Sequence, residues 1–237
     1  SEFLASFRLS GTLDEGGVAN VPDSGHLPVM PEEALEGLAV RPGGRYIDAT
    51  LGGAGHAEAI LRQSGPQGRL LGIERDAGAI ERAAQRLRPF QGRFLLVHGN
   101  HQDLDRLARA HDFCRADGIL MDLGMSSDQL DDPRRGFSFM HDGPLDMRMD
   151  TSRGATAAEL LAQLDRMELA GVLRDLGEEP QAGRIAAAIV NERRKRPIET
   201  TAVLAETVVR AVGGRRGARR HPATRVFQAL RMAVNAE

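Results

Sequence analysis

The sequence predicts an α/β fold in which a parallel sheet occupies the N-terminal half and a helical, basic region follows. Between residues 31 and 123, short apolar runs of strand length alternate with segments of helical period, which is the pattern of βαβ units. From residue 156 onwards the apolar spacing is helical. A chain of 237 residues suits one large domain, or one domain with a smaller insertion.

The N-terminal elements are predicted from apolar runs and from the residues that start helices. Proline suits a first helical turn because its missing N–H is not needed there, and aspartate is a favoured N-cap. The predicted strands are Arg45–Thr50, Arg69–Glu74, Arg93–Gly99 and Gly118–Leu123. One predicted helix begins at Pro31. The others cover His56–Gln63, Asp76 to about Arg88, and Asp103–His111.

The C-terminal elements are predicted to be helices. Residues 125–153 contain turn-forming pairs and no long periodic segment. Capping boxes at Thr156-x-x-Glu159 and Asp165-x-x-Glu168 then predict two helix starts. Two further helices are predicted, Arg184–Arg196 before Pro197 and Thr201–Val212 before Gly213.

Residue counts exclude several classes of protein. The single cysteine, Cys114, excludes an internal disulfide and multi-cysteine zinc or iron–sulfur sites. The single lysine, Lys195, does not follow the glycine-rich segment, so there is no Walker A loop. No apolar run approaches the roughly 20 residues that span a bilayer, and no secretory signal is recognisable. We therefore expect a reducing, cytoplasmic location and no membrane partner.

Charge is distributed unevenly, although the formal net charge is only −2. Twelve basic and three acidic residues lie between Arg184 and Arg231, so this stretch carries +9 and the rest of the chain −11. Such a concentration suggests a surface that meets a polyanion. A well-solvated helical face explains the same pattern, and charge alone leaves both interpretations open.

A glycine-rich turn, Gly52–Gly55, follows the first predicted strand and its last acid, Asp48. Glycines and a helix N-terminus together let backbone N–H groups approach a nucleotide-like ligand. The dinucleotide fingerprint fails because Glu58 stands at its third glycine, whereas a methyltransferase needs no glycine there. Glu74 closes the second strand, where an acid binds ribose hydroxyls of either NAD or S-adenosylmethionine. A turn without a ligand is the remaining alternative.

Asp122 is predicted to lie at the carboxyl edge of the sheet, because the fourth strand leads to it. Open α/β sheets bind ligands at that edge, and a carboxylate there can accept a hydrogen bond from an amine. Serine hydrolysis is disfavoured, because the nucleophile elbow G-x-S-x-G fails at Asp128.

Two aromatic side chains, Phe137 and Phe139, are close to arginines in the segment from Arg134 to Asp150. They are placed to stack on an extruded base while the cations hold phosphates. The alternative, which apolar burial favours, is a loop that packs its own aromatic rings into the core.

These segments and others match one family in the same order along the chain. The matching strings are His26–Val29, Asp48–His56, Asp117–Ser127, Gln129–Asp132, Arg135–Phe139, Asp142–Asp150, Gly177–Glu179 and His221–Arg231. Together they resemble the RsmH (MraW) family of S-adenosylmethionine-dependent enzymes. Members methylate the N4 amine of a cytidine in small-subunit (16S) ribosomal RNA.

The resemblance implies a class I S-adenosylmethionine-dependent methyltransferase fold, a Rossmann-like parallel sheet with an inserted helical domain. It implies S-adenosyl-L-methionine as the cofactor and no metal. Asp122 is then either the catalytic residue or chiefly a cofactor ligand. The implied cofactor-binding residues are Gly53, Ala54, Gly55, His56, Glu74, His101, Asp122 and Gln129. Glu74 stands where the family often has Asp, and His101 where Phe is frequent.

The resemblance also implies that the basic half docks 16S ribosomal RNA within the small ribosomal subunit. The candidate RNA-contacting residues are Arg135, Phe137, Phe139, Arg148, Arg193 and Arg194. The expected domains are a flexible tail (1–25), a Rossmann-like cofactor domain (26–132), an inserted basic domain (133–222) and a return helix (223–237). The family continues past Glu237, so we expect the C-terminal strands of the sheet to be missing.

Two other functions stay open at this point, as does the oligomeric state, for which a homodimer is one option. An NAD(P)-dependent oxidoreductase is disfavoured by the missing third glycine. A truncated, non-catalytic RNA- or ribosome-binding protein is the second alternative.

Overall fold

The computed structural model describes residues 30–214 and 220–237. The predicted tail, the motif at His26 and three of the counted arginines (Arg215, Arg216 and Arg219) lie outside the described residues. The chain separates into two compact units, Ser1–Leu123 and Gly124–Glu237. The first unit is α/β and the second is helical.

The first unit contains one parallel sheet. Its strands are β1 (Arg45–Asp48), β2 (Arg69–Glu74), β3 (Phe94–His98) and β4 (Gly118–Leu120). In the described part of the chain they lie in the order β3-β2-β1-β4, and every neighbouring pair is parallel. The helices of this unit are α1 (Pro31–Gly37), α2 (Gly55–Gln63), α3 (Ala77–Arg86) and α4 (Leu104–Ala110). The predicted Rossmann-like α/β fold is confirmed.

Apolar side chains form a core on each face of this sheet. Tyr46 and Leu70 pack in a cluster with residues of α1, α2 and α3. Ile47 and Leu71, the next residue in each strand, pack in a second cluster with Leu107 of α4. Successive strand residues point to opposite faces, so β1 and β2 need apolar residues at consecutive positions to fill both cores.

The second unit is built from helices around a separate core. Its helices are α5 (Ser127–Asp131), α6 (Ala157–Gln163), α7 (Arg166–Asp175), α8 (Ala182–Arg193), α9 (Thr201–Val212) and α10 (Thr224–Asn235). Helix α7 packs against α8 and α10, and α8 packs against α9. Both predicted capping boxes are present, at the starts of α6 and α7.

The segment before α6 belongs to the core of the second unit. Leu145 and Met147 are at most 1% exposed. Asn235, at the end of α10, fixes this segment: its Oδ1 accepts from the Met149 N–H at 2.8 Å, and its Nδ2 donates to the Met147 carbonyl at 2.8 Å. The segment is therefore a packed part of the unit.

Two strands end two or three residues earlier than predicted, and β3 ends one residue earlier, at His98. β1 ends at Asp48 and β4 at Leu120, because the chain after β1 turns away from β4 and towards β2. The Ala49 N–H still donates to the Leu120 carbonyl at 2.9 Å, but the Leu51 N–H donates to Ile73 of β2 at 3.2 Å. Helix α5 was not predicted, since five residues are too few to show a helical period.

The division of the chain at residue 123 differs from the predicted domain limits at 132 and 222. Helix α10, expected to return to the cofactor domain, contributes Val226, Phe227 and Leu230 to the core that also contains Leu173 of α7. Burial of this apolar side explains why α10 belongs to the helical unit.

Within residues 30–214 and 220–237, none of the helices is long and apolar enough to cross a membrane. The same residues contain no group of three or more His, Cys, Asp or Glu side chains that is arranged to hold a metal ion.

Candidate functional site

Three acids lie at or just after strand ends at the carboxyl edge of the sheet in the first unit. Asp48 is the last residue of β1, Glu74 is the last residue of β2, and Asp122 follows β4 by two residues. The strands are parallel, so their carboxyl ends meet at one edge. Asp48 is buried, Glu74 is half-buried and Asp122 is exposed.

The glycine-rich turn between β1 and α2 has the backbone conformation that glycine favours. Gly52 has φ +48°, and Ala54, the residue before α2, has φ +58°. A Cβ added to Gly53 would meet no atom within 4 Å. The turn therefore leaves open space at Gly53 and leads directly into the first N–H groups of α2.

Glu74 holds the glycine turn in place. Its Oε2 accepts from the Gly52 N–H at 2.8 Å, and its Oε1 accepts from the Arg75 and Asp76 N–H groups at 2.7 and 2.9 Å. A carboxylate offers about four acceptor positions. Three of them carry these bonds, which leaves about one for a ligand hydroxyl.

Arg86 of α3 supports the turn from the other side. Its Nη1 donates to the Gly53 carbonyl at 3.1 Å, and its Nε donates to Glu58 Oε2 at 2.8 Å. Burial alone would raise the pKa of Glu58, but its hydrogen bonds with Arg86 and Arg62 outweigh burial and lower the pKa. Glu58, at the failed third glycine, thus orients the arginine that binds the turn.

Asp48 is an acid with an unusual protonation equilibrium. Burial raises its pKa from 3.8 to about 7, against the hydrogen bond from the Thr50 N–H, and the negative charges of Glu74 and Asp122 raise it further. The Asp48 carboxyl group therefore exists as both acid and carboxylate near neutral pH.

The other predicted cofactor residues lie in three different surroundings. His56 is in the first turn of α2 and is 9% exposed, while His101, half-buried, opens the short helical turn after β3. Gln129 belongs to the second unit and is 6% exposed. Its Oε1 accepts from the Ser126 N–H at 3.2 Å in a capping box at the start of α5.

Most of the predicted RNA-contacting arginines make bonds within the second unit. Arg135 Nη2 donates to the carbonyls of Arg148 and Met149 at 2.9 and 3.0 Å. Arg148 forms a bidentate pair with Asp146, at 2.7 and 2.8 Å. Burial alone would raise the pKa of Asp146, but the hydrogen bonds and charge of Arg148 lower it.

Arg193 and Arg194 are adjacent but differ in their surroundings. Arg193 Nη1 donates to the carbonyls of Leu161 and, at 2.7 Å, Leu164, where α6 ends. Arg194 is exposed, as is the following Lys195. Arg193 therefore caps a helix, whereas Arg194 presents its charge to solvent.

The two phenylalanines also differ. Phe137 is 6% exposed and lies in the core of the second unit. Phe139 is half-buried and stacks on His221, with ring centroids 4.4 Å apart. The alternative in which the loop packs its aromatic rings inward describes Phe137 fully and Phe139 in part, because Phe139 packs against the same core and meets the Phe227 ring edge to face at 5.0 Å.

A family model described as the MraW methylase family matches residues 23–237, nearly the whole chain. The chain belongs to the MraW methylase family. This agrees with the resemblance drawn from the sequence strings and with the parallel sheet of the first unit.

Curated members of the family are similar over most of this chain. The relative from Thermomicrobium roseum is 54% identical, over 90% of this chain and 65% of its own length. Those from Symbiobacterium thermophilum and Syntrophotalea carbinolica are 51% and 53% identical, over 90% of this chain and 67% and 68% of theirs. All three are named "Ribosomal RNA small subunit methyltransferase H". The chain spans about two thirds of the length of these family members.

Two residues that shape the site were not among the predicted site residues. Arg86 is 33 residues from Gly53, and no local pattern links an arginine on α3 to a carbonyl in the turn. Thr50 Oγ1 accepts from the Asp122 N–H across 72 residues. Its position between the strand-ending acid and the glycines was the one signal available in the sequence.

Proposed function

We propose that the chain is an S-adenosylmethionine-dependent methyltransferase that modifies the N4 amine of a cytidine in 16S ribosomal RNA. The observation that carries the proposal is the glycine turn braced by Glu74 at the carboxyl edge, in a member of the MraW methylase family. The names of its relatives support small-subunit ribosomal RNA as the substrate.

The residues at the carboxyl edge fit the proposed cofactor. The open space at Gly53 admits a ligand close to the backbone. Glu74 has about one remaining acceptor position for a ribose hydroxyl. Asp122 is exposed at the same edge, where a carboxylate favours the positive charge of a sulfonium. His56, His101 and Gln129 stay in this proposal as further cofactor contacts.

When bound, S-adenosylmethionine supplies a methyl group on a positively charged sulfur. The cytosine N4 lone pair is delocalised into the ring, so the protein must hold the amine in line with that methyl group. Asp122 accepts a hydrogen bond from N4–H and stabilises the positive charge on nitrogen as the N–C bond forms and the S–C bond breaks. One N4 proton then leaves to solvent.

The second unit supports the proposed docking of RNA in the small ribosomal subunit. Exposed cations at and after the end of α8, Arg194 and Lys195, are available for phosphates. The half-buried Phe139 is the better candidate for a base contact, because Phe137 is in the core. Arg135, Arg148 and Arg193 orient the loops and helices that present these groups.

The direct test is methyl transfer from isotopically labelled S-adenosylmethionine, followed by nucleoside analysis of the RNA. Assembled small subunits and naked 16S RNA are compared as substrates. We expect label in N4-methylated cytidine from subunits. Binding of subunits without transfer supports the non-catalytic alternative, and displacement of S-adenosylmethionine by NADH supports an oxidoreductase.

A further inference from the structure

Thr50 connects the two strand ends that lead to Asp48 and Asp122. The Asp122 N–H donates to Thr50 Oγ1 at 2.7 Å. The Thr50 N–H donates to Asp48 Oδ1 at 3.2 Å. The Thr50 backbone N–H thus binds the carboxyl group of the buried Asp48, and the Thr50 hydroxyl group binds the backbone N–H of the exposed Asp122.

This hydroxyl group continues the pairing of β1 and β4 beyond their main-chain ladder. The Ala49 N–H donates to the Leu120 carbonyl at 2.9 Å, after which the Leu51 N–H donates to β2. Residues 121–123 are exposed, with Leu123 at 67%. A segment with so little burial depends on hydrogen bonds for its position.

We infer that Thr50 is a positioning residue for Asp122, an inference that rests on the role proposed above for Asp122. The hydroxyl group holds the Asp122 backbone beside the end of β1 and thereby sets the origin of its carboxylate. Misplacement of a reacting group by about 1 Å reduces the rate by about 100-fold. The inference gives Thr50 a function in methyl transfer without contact with either substrate.

The test uses Thr50→Val, which keeps the shape of the side chain but removes the acceptor, and Thr50→Ser, which keeps the hydroxyl group. We expect T50V to lower kcat for methyl transfer by about 10- to 100-fold and T50S to keep most of it. In an Asp122→Asn background, T50V should add little further loss in kcat or in cofactor Kd. Equal losses in both backgrounds would mean that Thr50 acts independently of Asp122.

Amide hydrogen exchange at Asp122 tests the positional part without any activity. We expect protection of this amide in the wild-type chain and in T50S, and faster exchange in T50V, at equal unfolding midpoints in urea. Unchanged exchange in T50V would overturn the inference. If the wild-type chain transfers no methyl group, the proposed function fails, and the exchange measurement still decides whether Thr50 holds Asp122.

Discussion

Asp48 is the residue in which burial and charge conflict most directly. It is 1% exposed, and its carboxyl group has a pKa of about 7. The unfolded chain solvates the same group and returns its pKa to about 3.8. The folded state therefore binds the Asp48 proton more tightly than the unfolded state does, and stability depends on pH through this group.

We predict that Asp48→Asn removes a pH dependence of stability. Between pH 3.8 and about 7 the unfolded carboxyl group has lost its proton while the folded one still holds it. Rising pH thus favours unfolding across this interval, and the free energy of unfolding of the wild-type chain should fall relative to that of D48N. Urea denaturation at a series of pH values measures the difference. Parallel curves for the two proteins would contradict this.

At the scale of elements, the glycine turn is held by side chains of β2 and α3 in addition to its own hydrogen bond from the Ala54 N–H to the Leu51 carbonyl. Glu74 of β2 binds the Gly52 N–H, and Arg86 of α3 binds the Gly53 carbonyl. A turn fixed before the ligand arrives loses less conformational entropy on binding. The preorganised turn is the element that we expect to determine cofactor affinity.

Arg86→Met is predicted to weaken cofactor binding. The Gly53 carbonyl loses its donor. Glu58 loses its hydrogen bond with Arg86 and keeps the one with Arg62. A hydrogen bond to a charged group contributes about 1.5–3 kcal/mol, so Kd for S-adenosylmethionine should rise about 10-fold or more. Calorimetry measures Kd, with Arg88→Met as the control at an exposed arginine of the same segment. Equal affinities of the two variants for S-adenosylmethionine would show that the hydrogen bond from Arg86 to the turn is not needed for cofactor binding.

The end of α6 offers a second prediction at this scale. Arg193 binds the Leu161 and Leu164 carbonyls, which no residue within the helix can satisfy. Arg193→Met should lower the free energy of unfolding by about 1–3 kcal/mol. The adjacent Arg194→Met should leave it nearly unchanged, because Arg194 is exposed. Equal effects in urea denaturation would refute the capping role.

For the whole molecule, the excess basic residues include exposed arginines that pair with the buried acid Glu192 and exposed cations that follow α8. Arg196 and Arg210 both pair with Glu192, at 2.9 and 3.2 Å, so part of the excess charge stabilises the helical unit. Arg194 and Lys195 remain exposed beside them. RNA affinity is therefore expected to depend on a few of the many basic residues.

Arg194→Met is predicted to weaken RNA binding and to reduce its salt dependence. Loss of one phosphate contact lowers the slope of log K against log salt by about one. Filter binding of 16S RNA at several salt concentrations measures the slope. Arg166→Met is the control at an exposed arginine of α7. If both variants bind like the wild-type chain, Arg194 does not contact RNA.

How much of the molecule the sequence predicts depends on the range of the interactions. The N-cap at Asp76 and the capping boxes depend on neighbouring residues and appear where expected, and the four strands appear with ends up to three residues from the predicted ones. The acids at the carboxyl edge follow from parallel strands. The bonds of Arg86 to Gly53 and of Thr50 to Asp122 join residues 33 and 72 positions apart, and only the folded chain shows them.

The burial of Phe137 also depends on residues that are far from it in the sequence. The core that contains its ring also contains Leu173 of α7 and Phe227 of α10, which come from distant segments. Composition near the phenylalanine suggests a basic aromatic loop, whereas packing in this core decides that the ring is buried. Sequence patterns therefore identified the loop but not which of its side chains reach a ligand.

The central claim is that the carboxyl edge of the first unit binds S-adenosylmethionine through the turn held by Glu74. Calorimetric titration of the chain tests it most directly, with Glu74→Ala as the variant and Glu81→Ala as the control at an exposed carboxylate. We predict saturable binding at one site in the wild-type chain and in E81A, and its loss in E74A. Binding that persists in E74A, or no binding by a folded wild-type chain, would contradict the claim.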